Sequence, residues 1–170
     1  MIYVSRYSNP ELRSGKYTAV RISIGTPKWP LGYTIAGEIK DLMPWGMLRK
    51  YSHEEFVIRY KEKLDSIGVT KIKNELKRFE KYGKPIVLLC YEDIRIDGQT
   101  CHRTTFAEWW SKKTGEFVME LKDPSKTKTI TESKPKEQSA SRDSFWKLSK
   151  SEAEIERELE ERQISIFSMI

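Results

Sequence analysis

The run PIVLLCY at residues 85–91 constrains this chain more than any other stretch. It is too short for a buried helix, has no polar alternation that would give it a solvent face, and is rich in branched aliphatic residues. It therefore reads as a central strand of a parallel sheet covered on both faces. Beyond it the chain turns polar, through Glu92 and a loop containing Asp97-Gly98, to Thr100, which is expected to N-cap a helix starting near Cys101. Strand end, loop and helix start thus come together at Cys90, Glu92, Cys101, His102 and Arg103. Ligands of open α/β sheets bind beyond the carboxyl ends of the strands, so the functional site is expected here.

These residue types sharpen that expectation. A thiol in the first turn of a helix feels the positive end of the helix dipole, and a cationic neighbour such as Arg103 lowers its pKa further. Cys101 is therefore the first candidate for chemistry, with Glu92 as a second. Cys90 is a third, although a cysteine inside an apolar strand usually behaves as an inert hydrophobe. Arg103, His102, Thr100 and the free N–H groups of the helix start form an expected phosphate or carboxylate site. Cys90, Cys101, His102 and His53 match no standard zinc spacing, since the pattern is C-x10-C-H, so neither metal nor cofactor is expected.

The strand cysteine, the acidic residue two positions on, and Cys-His-Arg opening a helix, here LLCYE…CHR, resemble the signature of the bacterial family catalogued as domain of unknown function 488. The resemblance covers residues 1–122 and places the signature on Cys90, Glu92, Cys101, His102 and Arg103. It implies a compact α/β domain and names no reaction. The amino-terminal half departs from the pattern: VRISIGTPKW stands where many members carry an Asp-Val-Arg segment, which leaves Arg21 outside the match.

Around this centre the chain alternates. Residues 2–6 and 16–23 read as strands. Residues 25–48 are irregular and aromatic, broken by prolines and glycines, with Trp29, Trp45 and Lys28 placed to stack on a base and meet a phosphate. Ser52 and Glu55 form a capping box for a helix over 53–66 that ends at Gly68. A second helix follows Thr70, with Ile72, Leu76 and Phe79 on its inner face and Lys71, Lys73, Lys77, Arg78 and Lys81 on its outer face. The site helix runs to about residue 113, and residues 116–121 read as a last strand. The fold expected is α/β: one three-layer domain over 1–122 with a mostly parallel or mixed sheet.

Residues 123–144 are Ser, Thr, Lys and Pro with almost nothing apolar, which reads as a disordered linker, and 145–170 as a short helical tail. No segment is long and apolar enough for a membrane span or a secretory signal, so a cytoplasmic monomer is expected. Residues 1–122 hold 22 Lys/Arg against 15 Asp/Glu. That excess suits a polyanionic partner such as nucleic acid or a nucleotide. Near the end of the chain, Gln163, Ile164, Ser165, Ile166 and Phe167 resemble the bacterial sliding-clamp-binding motif. Gln163 would set the register there while Ile164, Ile166 and Phe167 fill an apolar groove. The function expected is a nucleic-acid- or nucleotide-binding domain tethered to a clamp. The alternatives are a cysteine-dependent small-molecule enzyme and a non-catalytic adaptor. A peptide of residues 158–170 should bind a bacterial sliding clamp in a polarisation titration, and replacing Gln163 and Phe167 by Ala should abolish that binding.

Overall fold

A computed structural model describes residues 1–48 and 50–127. The linker beyond residue 127, the helical tail and the Gln163–Phe167 motif lie outside the described residues. The apolar run forms strand β4, Ile86–Cys90, and every one of its residues is buried. It is the middle of a five-stranded sheet. Strand β1 (Ile2–Arg6) pairs with it on one side, Ile2 opposite Ile86 and Arg6 opposite Cys90. Strand β2 (Thr18–Arg21) pairs on the other, Thr18 opposite Ile86 and Arg21 opposite Leu89. Strand β3 (Ile35–Glu38) extends the sheet beyond β2, and β5 (Val118–Glu120) extends it beyond β1. The order is β3-β2-β4-β1-β5 and every pairing is parallel, as the continuous apolar run requires.

Side chains alternate across the sheet, so β4 supplies both cores. Ile86 and Leu88 join Val4, Val20 and Ile22 on one face, beneath helices α1 (His53–Ile67), α2 (Val69–Glu80) and α3 (His102–Thr114). Those helices contribute Tyr60 and Leu64, then Ile72, Leu76 and Phe79, then Phe106, Trp109 and Trp110. Val87 and Leu89 face the other way, against Tyr7, Leu12 and Leu121, with Leu31 and Tyr33 packed over them. Among the described residues the third layer is thus made of a 3-10 turn at Pro10–Ser14 and irregular chain, with no α-helix. By parity Cys90 lies on the helix-covered face with Leu88.

Local signals account for most element ends. Ser52 Oγ accepts from the Glu55 N–H at 3.2 Å while Glu55 Oε2 accepts from the Ser52 N–H at 3.1 Å, the reciprocal cap read from the sequence. Gly68, at φ +80°, turns the chain straight from α1 into α2, so the second helix begins at Val69 rather than after Thr70. Strand β3 lies inside the stretch expected to be irregular. It is a four-residue strand with a bulge against β2 and a glycine at its centre, which erases any alternation. A Cβ on Gly37 would stand 2.9 Å from the Phe79 ring, so the glycine lets α2 close down on the sheet.

The chain leaves β2 outward to β3 and leaves β4 in the opposite direction, across β1 to β5. Diverging connections mark a switch point between the carboxyl ends of β2 and β4, the place where sheets of this kind form a ligand-binding crevice. Ile22 and Cys90 lie on its two sides, both buried.

Candidate functional site

Cys90 is the last residue of β4, and Cys101 and His102 are the N-cap and first residue of α3. Their solvent exposures are 3%, 7% and 5%, so two thiols and an imidazole share one buried volume. His102 Nδ1 lies 3.6 Å from Cys90 Sγ and 3.8 Å from Cys101 Sγ. His102 Nε2 lies 3.0 Å from the carbonyl oxygen of Ile22. A carbonyl only accepts, so Nε2 carries the proton and, in the neutral ring, Nδ1 turns a lone pair toward both sulfurs. The Tyr60 ring meets the imidazole edge-on at 5.5 Å, and its hydroxyl donates to the Leu42 carbonyl at 2.6 Å. Glu92 Oε2 accepts from Cys90 Sγ at 3.0 Å, completing a Cys-Cys-His-Glu constellation.

The two thiols are driven apart in acidity. Burial raises the Cys101 thiol, but the hydrogen bond from Cys90, the hydrogen bond and charge that His102 supplies when its ring is protonated, and the Arg103 charge outweigh it and bring the net value below the ordinary thiol range. Cys90 moves up, because its hydrogen bond to Cys101 favours its protonated form and burial and the Cys101 and Glu92 charges add to that. Burial likewise raises Glu92, and hydrogen bonds from the two thiols more than compensate.

Of the three expected anion ligands, His102 and Arg103 are turned into the protein. Thr100 is exposed and does not cap the helix. The extended cap conformation, φ −148° and ψ 139°, falls at Cys101, the residue whose side chain turns inward. His102 spends both ring nitrogens inside the protein. Arg103 is wholly buried: its Nε and Nη2 donate to Glu120 at 3.1 and 3.0 Å, and its Nη1 to the Glu92 carbonyl at 2.8 Å. A guanidinium committed to a bidentate carboxylate and a backbone oxygen is an anchor between α3, β5 and the Glu92 loop rather than a phosphate grip. Its partner sits 17 residues away on β5, a pairing with no local sequence signal. Ile22 and Tyr60 also escape a sequence reading, one acting through its backbone and the other resembling any inward residue of a helix.

The loop carrying Glu92 is held by ion pairs. Arg6 Nη1 meets Asp93 at 3.0 Å and Arg6 Nε meets Asp123 at 2.7 Å, while Arg95 Nη2 meets the same two carboxylates at 2.8 and 3.3 Å. This network ties the end of β1, the loop after β4 and the segment after β5 together. Beside it, Tyr91 packs edge-on against Tyr7 at 5.0 Å and against Trp29 at 6.0 Å. Tyr7 in turn shares a 2.6 Å hydroxyl bond with Ser23, at the β2 lip. Trp29 and Tyr91 remain 46% and 37% exposed, and Lys28 is exposed next to them, so this ledge faces solvent at the rim of the crevice. Arg21 is turned to Glu38 and the Ile24 carbonyl. On α2, Lys71 pairs with Asp41, Lys73 with Glu116 and Arg78 with Glu75, leaving Lys77 and Lys81 without an acidic partner among the described residues. The basic face is therefore narrower than its sequence implies.

No protein-family model, curated protein or solved structure matches this chain. Fold and site alone define its class: a parallel α/β domain with a thiol–imidazole cluster at the carboxyl edge of its central strand.

Hydrogen bonds from Arg95, with the Arg6 charge, hold the Asp93 carboxyl down at about 2, against an ordinary value of 3.8. A depressed carboxylate contributes stability that is complete above its unfolded value and is lost as pH falls toward its folded one. Thermal melts should therefore show stability falling between about pH 4 and pH 2. Asp93→Asn should lower the melting temperature at pH 7 and flatten that acid slope. An unchanged slope would remove the network from the account of this loop.

Proposed function

We propose that this domain is a cysteine-dependent enzyme whose reacting centre is the Cys90, Cys101, His102 and Glu92 cluster. The observation that supports the reading is the convergence of two thiols, an oriented imidazole and a carboxylate at the crevice between the diverging ends of β2 and β4. Two buried thiols and a buried imidazole with a half-buried carboxylate beside them are costly to gather, and a fold that needed only packing there would fill the space with aliphatic residues. The likeness of LLCYE…CHR to the signature of domain of unknown function 488 falls on the same positions. Turnover should be sought with a panel of nucleoside phosphates and activated acyl and phosphoryl esters. Cys101→Ser should abolish it and His102→Ala should lower it about 100- to 10,000-fold, the usual worth of a proton-transfer partner. Equal turnover by wild type and Cys101→Ser would refute the reading.

The substrate class we assign is a nucleotide or nucleic acid, with the tail's clamp motif as the tether. The ledge of Trp29 and Tyr91 offers aromatic faces to a base, with Lys28 beside it for a phosphate. Lys77 and Lys81, without an acidic partner among the described residues, add charge to a domain with a net excess of seven cations over residues 1–122. Binding of single-stranded oligonucleotides should weaken as salt rises, with a log–log slope of about −0.7 per phosphate neutralised. Trp29→Ala should cost about 1–3 kcal/mol if a base stacks there. Absence of binding at low salt would leave the enzyme reading with a small uncharged substrate.

A further inference from the structure

The C-x10-C-H spacing argues against a metal because standard zinc motifs place ligand pairs a few residues apart on one turn. Here the sheet brings a strand end and a helix start together, so sequence spacing is a poor guide. Among the described residues this is the one group of His, Cys, Asp or Glu in which three ligand atoms gather so closely, all within 4.8 Å of one another. The separations have a specific meaning. Zinc–sulfur bonds of about 2.3 Å and zinc–nitrogen bonds of about 2.0–2.1 Å at tetrahedral angles put ligand sulfur and nitrogen roughly 3.5–3.6 Å apart. The two measured distances from Nδ1 to sulfur are 3.6 and 3.8 Å.

The imidazole is also set for coordination. Its Nε2–H is spent on the Ile22 carbonyl, which fixes the tautomer and the ring plane and aims Nδ1 between the sulfurs, as outer-shell partners of ligating histidines do. The contacts of these atoms as they stand are pairwise, Cys90 to Glu92 and each sulfur to Nδ1, whereas a cation at the common centre meets both sulfurs and Nδ1 at once. Charge agrees. Two buried thiolates without a counter-ion are prohibitive, while a dication neutralises both and leaves only the half-buried Glu92 carboxylate charged beside the site. The nearby Arg103 does not supply that charge, because it is committed to Glu120.

We infer that Cys90 Sγ, Cys101 Sγ and His102 Nδ1 hold one soft divalent transition-metal cation of the zinc class. Two thiolates and an imidazole select such an ion over magnesium or calcium. Three protein ligands leave a fourth position, the arrangement of catalytic rather than structural zinc. Glu92 stands beside the cluster, with Oε2 3.0 Å from Cys90 Sγ. The inference rests on reading this cluster as the reacting centre and deepens it: with the cation bound, Cys101 and His102 serve as ligands of a Lewis acid with room for water or a substrate oxygen, and His102 is no longer the proton-transfer partner.

The test uses the full chain, purified without chelator and titrated with Zn2+ and with Co2+ as a coloured probe. About one equivalent per chain should bind, and Co2+ should give the thiolate-to-metal charge-transfer and tetrahedral ligand-field bands of a sulfur-containing site. X-ray absorption of the zinc-loaded wild type should show two sulfur scatterers near 2.3 Å and nitrogen or oxygen near 2.0 Å. The Cys90→Ser/Cys101→Ser variant should bind more than about 100-fold more weakly, beyond the 10–100-fold an outer-shell change costs. A zinc spectrum without sulfur scatterers, or equal affinity in the double variant, overturns the inference. The spectrum is measured on wild type and stands even where the variant fails to fold. Cysteine-dependent turnover in protein that binds no metal would sink this inference and leave the enzyme reading intact. A two-sulfur zinc site in a protein without cysteine-dependent turnover would do the reverse.

Discussion

The burial of β4 on both faces is the constraint on which the rest depends. Each fully buried Val, Leu or Ile side chain contributes about 1.5–3 kcal/mol, so Ile86, Val87, Leu88 and Leu89 together bring roughly 6–12 kcal/mol. That is comparable to the whole net stability of an ordinary domain, about 5–15 kcal/mol. A strand that needs cover on two sides also needs a neighbour on each edge, and β1 and β2 supply these in parallel. Parallel neighbours demand crossovers, and the crossovers bring in the helices. The chain order of those crossovers then places the divergence, and hence the crevice, beside the carboxyl end of β4.

The site is the polar termination of that strand. Up to Leu89 every side chain of the run is aliphatic. At Cys90 the pattern stops, and a buried set of thiol, imidazole, carboxylate and guanidinium begins. Such a set persists only when its members satisfy one another. His102 is satisfied by Ile22, Arg103 by Glu120 and the Glu92 carbonyl, and Cys90 by Glu92. Arg103 and the Arg6–Asp93–Arg95–Asp123 network therefore do related work: both fix the loop that starts at Tyr91, one from beneath and one from its outer edge.

Local chemistry made much of this legible in advance. The apolar run, the Ser52–Glu55 capping box and the glycine at 68 are short-range signals, and each stands where the sequence places it. Strand β3 was not legible, because four residues around Gly37 have no alternation. The extent of the basic face on α2 was legible as composition but not as free charge, since Asp41 and Glu116 lie far off in the chain.

By itself, then, the sequence determined the central strand, the helices and the gathering of Cys90, Glu92, Cys101, His102 and Arg103 at one edge of the sheet. Periodicity, capping and burial act over a few residues, and the strand–loop–helix succession brings those positions together without help from elsewhere. The tertiary structure alone decided what each of them does. Ile22, just past the end of β2, orients the imidazole, and Glu120 from β5 takes Arg103 out of contention for a ligand. Those partners are 80 and 17 residues away in the chain and adjacent in space. The role of a polar side chain follows from the groups it meets, and those are set by how the strands pair.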